Sequence, residues 1–432
     1  MDLNRYLESF EKAAEDPAWL ADFRRQGLEY FRQKGLPSFR DEDWKYTSLS
    51  KFSKLVFTPG AGLPVSKMAS IRTRLDQISF KGSHRIVFVD GKFQSELSEK
   101  IEQPGLTISS LAEALGRPEV QSILQEDGNV PDGPKDGLKA LNASFFTDGP
   151  YIHVKKGAMI APVIHLVYVS SQGEATSEAP ASHLRGLIEL EAGAQAKIAE
   201  SFIGMDDELA MTNVRTWVEL GDDALLEHVK IQDEGLGTYH FGDLRVRQGK
   251  KSSFRSTLLS LGAALGRSEI WVRFEGEGAE CSLDGVYAAR GEQHVDCLTL
   301  IDHAVAGCCS HETYKGILDG SARGVFSGKV LVREHAQKTS AEQSNQNLLL
   351  SESAIANTRP QLQIYADDVK CTHGATVGRL DENSLFYLRS RGIAPSEARV
   401  LLTQAFAAEV LDRVQAPSLK EALKGRFRQW LS

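Results

Sequence analysis

Four turn glycines, Gly193, Gly221, Gly249 and Gly276, follow one another at intervals of 28, 28 and 27 residues. Each closes a run in which apolar and polar residues alternate, as in Ile188-Glu189-Leu190-Glu191-Ala192-Gly193, Val218-Glu219-Leu220-Gly221 and Val272-Arg273-Phe274-Glu275-Gly276. Alternation of period two is the mark of a half-buried strand. A strand-bearing unit of this length cannot bury its own apolar face and gains a core only by stacking on its neighbours. The repeat therefore predicts a β-solenoid, with a β-sandwich as the competing architecture because strands with closely spaced turns serve both. It also places Gly221 and Gly249 at equivalent turns of adjacent coils, about 4.8 Å apart, where a need for positive φ would make a larger residue costly.

The pattern divides the chain into an N-terminal helical region with some strand (1–150), a strand-rich body (151–379) and a helical tail (380–432). In the first part Leu3, Tyr6, Leu7 and Phe10, then Trp19, Leu20, Phe23 and Phe31, recur at helical spacing, punctuated by Asp16-Pro17 and Gly35-Leu36-Pro37. The Asp41–Thr47 stretch is expected to be a loop anchored by Trp44 and Tyr46, and Arg85–Gly91 a strand that ends in a turn. Between Leu106 and Phe146 the pattern is helical again, broken by Gly128 and Pro131-Asp132-Gly133-Pro134, with Leu138, Leu141 and Phe145 suited to a short helix on the body. In the tail, Gly392 reads as a helix stop, Pro395 as the first turn of a helix running to about Val414, and Ser418 with Glu421 as a capping box. The tail helices are expected to pack as a small bundle with faces to spare for docking.

Fifty basic against fifty-eight acidic residues give a formal charge of -8, which argues against a broad nucleic-acid surface. No apolar run reaches membrane-spanning length, and Met1–Glu8 lacks the apolar stretch of a secretory signal, so the cytoplasm is the expected compartment. Five cysteines, without a C-x-x-C pair, suit reduced thiols. No phosphate loop of the G-x-x-x-x-G-K-[ST] type is present, so no nucleotide is expected to bind this chain.

The stretch Asp367-Asp368-Val369-Lys370-Cys371-Thr372-His373-Gly374-Ala375-Thr376-Val377-Gly378 joins body to tail. On a strand, Cys371 and His373 share a face, which makes half of a soft-metal site. Two ligands do not close a tetrahedral centre, so others would come from elsewhere in the fold or from another chain. A buried structural thiol is the alternative for Cys371. Upstream, His294-Val295-Asp296-Cys297, His303 and Cys308-Cys309-Ser310-His311 suggest a second cluster, yet alternation puts Cys297 opposite His294 and Asp296, and its inward cysteines read as core. The polar run Ala336–Asn347 is expected to be a solvated turn.

Taken together, His294-x-Asp296, Tyr314-Lys315-Gly316, Gly324-Val325-Phe326-Ser327-Gly328-Lys329, Ala336-Gln337-Lys338-Thr339, Gln343-Ser344, Asn347-Leu348-Leu349-Leu350 and the Cys371-Thr372-His373-Gly374-Ala375-Thr376 motif resemble the SufB/SufD family of iron–sulfur cluster assembly proteins. Trp44-Lys45-Tyr46-Thr47 and Phe386-Tyr387-Leu388-Arg389-Ser390-Arg391-Gly392 extend the likeness over most of the chain. Thr372 and Gly374, where the B-type has acidic residues, point to the D-type branch. The resemblance implies a right-handed parallel β-helix flanked by helical regions, and a non-catalytic scaffold role beside SufB and the ABC-type ATPase SufC. It implies a transient iron–sulfur cluster at the SufB interface, with His373 as a ligand and Cys371 as its neighbour. Phe386, Tyr387, Arg389 and Arg391 on the tail are the expected ATPase-docking residues, and unpaired strand edges suit a homodimer when the chain is alone. A stand-alone homo-oligomeric metal scaffold and a β-helix carbohydrate-active enzyme are the alternatives; the second calls for a cleft with paired carboxylates.

Overall fold

A computed structural model describes residues 16–59, 65–129, 136–171, 179–207 and 209–431. Numbered among these residues, the helices are α1 (Ala18–Lys34), α2 (Met68–Ile78), α3 (Leu111–Ala114), α4 (Pro118–Asn129), α5 (Gly137–Phe145), α6 (Glu382–Ser390), α7 (Pro395–Leu411) and α8 (Pro417–Leu431). The first strands are β1 (Phe57–Pro59), β2 (Ser83–Val89), β3 (Lys92–Phe93) and β4 (Leu106–Ser110). The solenoid is then wound from β5 (Pro150–Val154), β6 (Met159–Ser170), β7 (Ala179–Leu190), β8 (Gln195–Gly204), β9 (Ala210–Leu220), β10 (Leu225–Asp233), β11 (Thr238–Gln248) and β12 (Ser253–Ser260). It continues through β13 (Leu265–Phe274), β14 (Glu280–Ala289), β15 (His294–His303), β16 (Cys309–Leu318), β17 (Arg323–Val332), β18 (Ser340–Leu349), β19 (Ile355–Ile364) and β20 (Lys370–Gly378).

Successive strands alternate between two sheets. One runs in the order β19-β17-β15-β13-β11-β9-β7-β5-β4 and the other β20-β18-β16-β14-β12-β10-β8-β6-β2-β3. From β5 and β6 onward the neighbours are parallel, so each coil contributes one strand to each sheet, as a parallel β-helix requires. The sandwich alternative is thereby excluded. Partners at the ends of one sheet, Leu190, Leu220, Gln248, Phe274, His303, Val332 and Ile364, are 30, 28, 26, 29, 29 and 32 residues apart. The coil length varies through its turns, whereas strand register holds because a slip of one residue would turn the apolar face outward. One inward column reads Ile188, Val218, Val246, Val272, Ile301 and Val330, each buried. β-Branched side chains stacked at strand spacing fill this space without loss of much χ1 freedom.

Gly221 and Gly249 follow the paired residues Leu220 and Gln248 and occupy equivalent places on adjacent coils. Gly193 and Gly276 do not share that register, because Leu190 and Phe274 are followed at the equivalent positions by Glu191 and Glu275. Positive φ is found at Gly193 (70°) but not at Gly221, Gly249 or Gly276. Close approach of the coils is what requires glycine there: a Cβ on Gly221 would stand 2.7 Å from Ala192 N, and one on Gly249 2.9 Å from the Gly221 carbonyl carbon. Gly249→Val is therefore expected to lower stability by about 1–3 kcal/mol through overpacking. An unchanged urea midpoint would show that the turn relaxes freely.

The N-terminal region covers the outer face of the first sheet. α1 stops at Gly35, in the left-handed region, and buries Leu20, Phe23, Leu28 and Phe31; Leu3, Tyr6, Leu7, Phe10 and the Pro131–Pro134 segment lie outside the described residues. α5 is capped by Asp136, whose carboxylate accepts from Leu138 N and Lys139 N. Trp44 is buried against Phe241 and over the Arg267 guanidinium, 4.0 Å from its ring centre, whereas Tyr46 is exposed, with the Lys45 ammonium 5.5 Å from its ring centre. β3 and β4 pair antiparallel with β2 and β5 and finish the N-terminal end of the solenoid.

The tail does not form a self-contained bundle. α7 and α8 bury Ala407, Val410, Leu411, Leu419, Leu423 and Phe427 in one cluster with Val286, Ala288, Ile317 and Leu348 on the outer face of the second sheet. Lys315, otherwise a buried cation, pairs with Glu409. Pro417 takes the first helical position of α8, so Ser418 sits inside the helix rather than at its cap. Nor is Ala336–Asn347 one solvated turn: from Ser340 it is strand β18, with Gln343, Asn345 and Asn347 buried.

Candidate functional site at the open end of the solenoid

The two sheets end differently at their two extremities. β16 is buried at eight of its ten positions, but β19 and β20 contain no buried residue and form the free edges of both sheets. Among the described residues no further strand stacks on this last coil, although Arg359 of β19 is tied to Glu42 in the N-terminal region. Side chains that would lie inside, had another coil followed, are left partly in solvent. Ile364 and Val377, on the inward columns, are exposed there, as are Ile355 on the outward face and Tyr365 just past β19, although strands of this composition usually bury such residues.

Register fixes which way the β20 side chains face. Cys371, His373, Ala375 and Val377 continue the inward columns of Ala341, Gln343, Asn345 and Asn347. Cys371 and His373 thus share one face, but their surroundings differ. His373 is exposed. Cys371 is half-buried beside Val330, Val332, Ala336, Ala341 and Ala366. Burial pushes its thiol up from the ordinary value, and a hydrogen bond with the Ala341 backbone offsets only part of this. A protonated thiol in an apolar nest is a packing residue unless a metal displaces its proton.

Below the open coil the interior turns polar. Tyr287 Oη donates to Asn347 Oδ1 at 2.5 Å, Asn347 Nδ2 donates to Asn345 Oδ1 at 2.7 Å, and Asn345 Nδ2 donates to the Tyr314 carbonyl at 3.1 Å. Gly316 makes room for this network, since a Cβ there would overlap Asn347 Oδ1 and the Tyr287 ring. In the next column Gln343 Nε2 donates to Glu312 Oε2 at 2.6 Å. Burial drives the Glu312 carboxyl up to about 7, with the Gln343 amide working against it. Glu312 was not singled out by sequence. The available signal was polar alternation, Gln343-x-Asn345-x-Asn347, which is the strand period written in amides.

The other candidate cluster is dispersed. Cys281, Cys297 and Cys308 belong to the apolar interior, and burial raises the thiol of each. His303 Nε2 lies 2.9 Å from Ser310 Oγ and is driven down to about 4 by burial. His294 meets Thr47 Oγ1 at 2.9 Å, and Asp296 is held by Thr47 and Arg267. Among the described residues no group of three or more His, Cys, Asp or Glu side chains is spaced to hold a metal ion. Likewise, no described helix is long and apolar enough to cross a membrane.

α6 follows the open coil after Gly378 and buries none of its residues. Phe386 and Tyr387 are 71% and 57% exposed, whereas Leu385 and Leu388 are half-buried, so one face of the helix is left without apolar cover. Arg389 and Arg391 are exposed, and the Arg391 guanidinium lies 5.2 Å from the Tyr387 ring centre. The open coil and the exposed face of this helix therefore form neighbouring apolar surfaces flanked by arginines, a composition common at the centres of protein interfaces.

Residues 172–406 match the family described as SUF system FeS cluster assembly, SufBD core domain, and residues 4–166 match the SufBD protein N-terminal region. Iron-sulfur cluster assembly protein SufD of Escherichia coli is 31% identical over 94% of this chain and 92% of its own length. An iron-sulfur cluster assembly SufBD family protein of Synechocystis is 31% identical over 100% and 95%. Iron-sulfur cluster assembly protein SufD of Bacillus subtilis is 26% identical over 97% and 95%. With matches that span both the helical N-terminal region and the β-helix, the chain belongs to the SufB/SufD family of iron–sulfur cluster assembly proteins.

Proposed function

We propose that this chain is a non-catalytic scaffold subunit that joins a SufB-type paralogue through its open coil and a SufC-type ATPase through α6. The nascent iron–sulfur cluster is the cargo of the assembly, built at the first of these junctions, with His373 as this chain's ligand. The observation that carries the reading is the uncovered β19–β20 coil, with His373 on its face. Free strand edges pair with strands of another chain, which supplies both backbone hydrogen bonds and the missing apolar cover. Imidazole and thiolate suit iron, and a junction explains why one chain carries only part of a ligand set. Sparse ligation also lets a transient cargo depart. Five cysteines, none of them in a disulfide, favour a cytoplasmic setting.

The test is co-purification from cells that express all three chains. Val377→Lys with Ile364→Lys is expected to remove the B-type chain from the complex, because two charges would be buried at the junction, while the isolated protein keeps its melting temperature. An intact complex would place the junction elsewhere. On the second surface, Phe386→Ala with Arg389→Ala is expected to weaken ATPase binding at least about tenfold. These substitutions are preferable to deletion of the tail, which would strip Val286, Ala288, Ile317 and Leu348 of their cover. Without partners, the same edges would pair two copies of this chain, so a concentration-dependent dimer is the companion expectation.

A further inference from the structure

The inward column that ends at His373 carries polar side chains on its last three coils, beside the amide column of Asn345. In-register pairing stacks Leu283, Glu312, Gln343 and His373 on successive coils. Glu312 and Gln343 are each 1% exposed, and a carboxyl group and an amide in such a place are retained at a cost unless they are hydrogen-bonded. The Gln343 amide nitrogen is turned to Glu312. That leaves Oε1 as the acceptor of the amide, and it is buried without a hydrogen-bond partner. Space for the amide is provided from the opposite sheet by Gly328, where a Cβ would overlap Gln343 Nε2 and stand 2.9 Å from Cδ. The next side chain in the column is His373, one strand spacing, about 4.8 Å, farther on.

We infer that Glu312 and Gln343 are positioning residues for His373: the carboxylate orients the amide, whose oxygen is left open as the acceptor for the imidazole N–H once the exposed ring turns inward over the column. One tautomer is thereby selected, and the other ring nitrogen is left unprotonated at the open end. Metal-binding imidazoles commonly donate their second N–H to a carbonyl or carboxylate, which fixes both ring orientation and tautomer. This relay deepens the ligand role proposed for His373, but it needs only residues of this chain and is measurable without a cluster. It also gives Gly328 and Gln343, two residues of the family-like motifs, a joint physical purpose.

The experiment uses the full chain labelled with 15N-histidine, long-range 1H–15N spectra in alkaline buffer, and His373→Ala to assign the ring. In the unmodified protein His373 is expected in one predominant tautomer. Gln343→Leu, which keeps shape but removes the acceptor, should move the tautomer ratio about fivefold toward that of an exposed imidazole, the change expected from one lost hydrogen bond. The paired exchange Glu312→Gln with Gln343→Glu reverses the inner bond while keeping an acceptor beneath His373, and should restore a single tautomer. This rescue also serves if Gln343→Leu does not fold. An unchanged ratio in folded Gln343→Leu, or no rescue in the exchange, overturns the relay. Reconstitution with the partner chains separates the two proposals: a moved tautomer with normal cluster yield in His373→Ala leaves the relay standing and removes the ligand role, whereas an unmoved tautomer with cluster loss in His373→Ala does the reverse.

Discussion

A three-chain complex carrying His373→Ala is expected to assemble normally and to give no iron–sulfur absorption on anaerobic reconstitution. The fold should tolerate the change. His373 is exposed on an edge strand with no buried residue, and substitutions at such positions usually stay within about 0.5 kcal/mol. The chemistry should not tolerate it. Among the described residues no cluster of His, Cys, Asp or Glu waits nearby to replace the lost nitrogen, and a site shared across a junction has no ligand to spare. Cys371→Ser is expected to be milder, because that thiol sits in the Val330, Val332 and Ala341 nest with its proton retained by burial. Visible absorption read against iron and sulfide content is the measurement, and a normal yield from His373→Ala would leave the histidine a surface residue.

The largest stability loss is expected from Arg267→Ala. Arg267 is fully buried on the outer face of the first sheet, where its Nε donates to Glu269 Oε1 at 2.7 Å and its Nη1 to Asp296. The Trp44 ring covers its other side. Lys139, at the start of α5, reaches the second Glu269 oxygen at 2.6 Å, and on the neighbouring coil Arg215 and Arg245 hold Asp243 at 2.7 and 2.9 Å. Removing one cation strands carboxylates that water cannot reach, at a cost of about 3–5 kcal/mol. The pH dependence follows with a definite sign. Burial alone would raise Glu269, but Lys139 and Arg267 together hold it below its usual value. Such a carboxylate stabilises the fold above its unfolded pKa, and that contribution is lost as pH falls through the folded one. Without Arg267 the folded value rises, so acid unfolding should begin at a higher pH than in the unmodified protein. Urea midpoints at neutral pH and an acid titration of the circular dichroism check both statements; equal midpoints would mean that the ladder contributes specificity rather than stability.

Which features were legible in the sequence follows from the range of the forces involved. Period-two alternation and recurrent turns are local, and they gave away the strands, the stacked coils and the Gly221–Gly249 equivalence. Helix signals at Gly35, Gly392 and Pro395 are local as well, and they fall where the helices stop and start. The facing of Cys371 and His373 was likewise readable, because alternation along one strand decides it. Polarity misled at Gln343-x-Asn345-x-Asn347, since amides usually mark solvent and here complete one another inside the coil. Close contact between coils, not positive φ, makes Gly221 and Gly249 necessary, and such contact exists only after stacking. The same holds for the tail, whose helical stripes were visible but whose burial surface, the outer face of the second sheet, was not. By itself the sequence determined the repeating strand unit, its register-bearing faces and the Cys-x-His pair, because these depend on neighbours along the chain. Tertiary structure alone decided that the solenoid is sealed at one end and open at the other, and that Glu312, Gln343 and His373 form one column, because residues some 30 positions apart meet only when the coils stack.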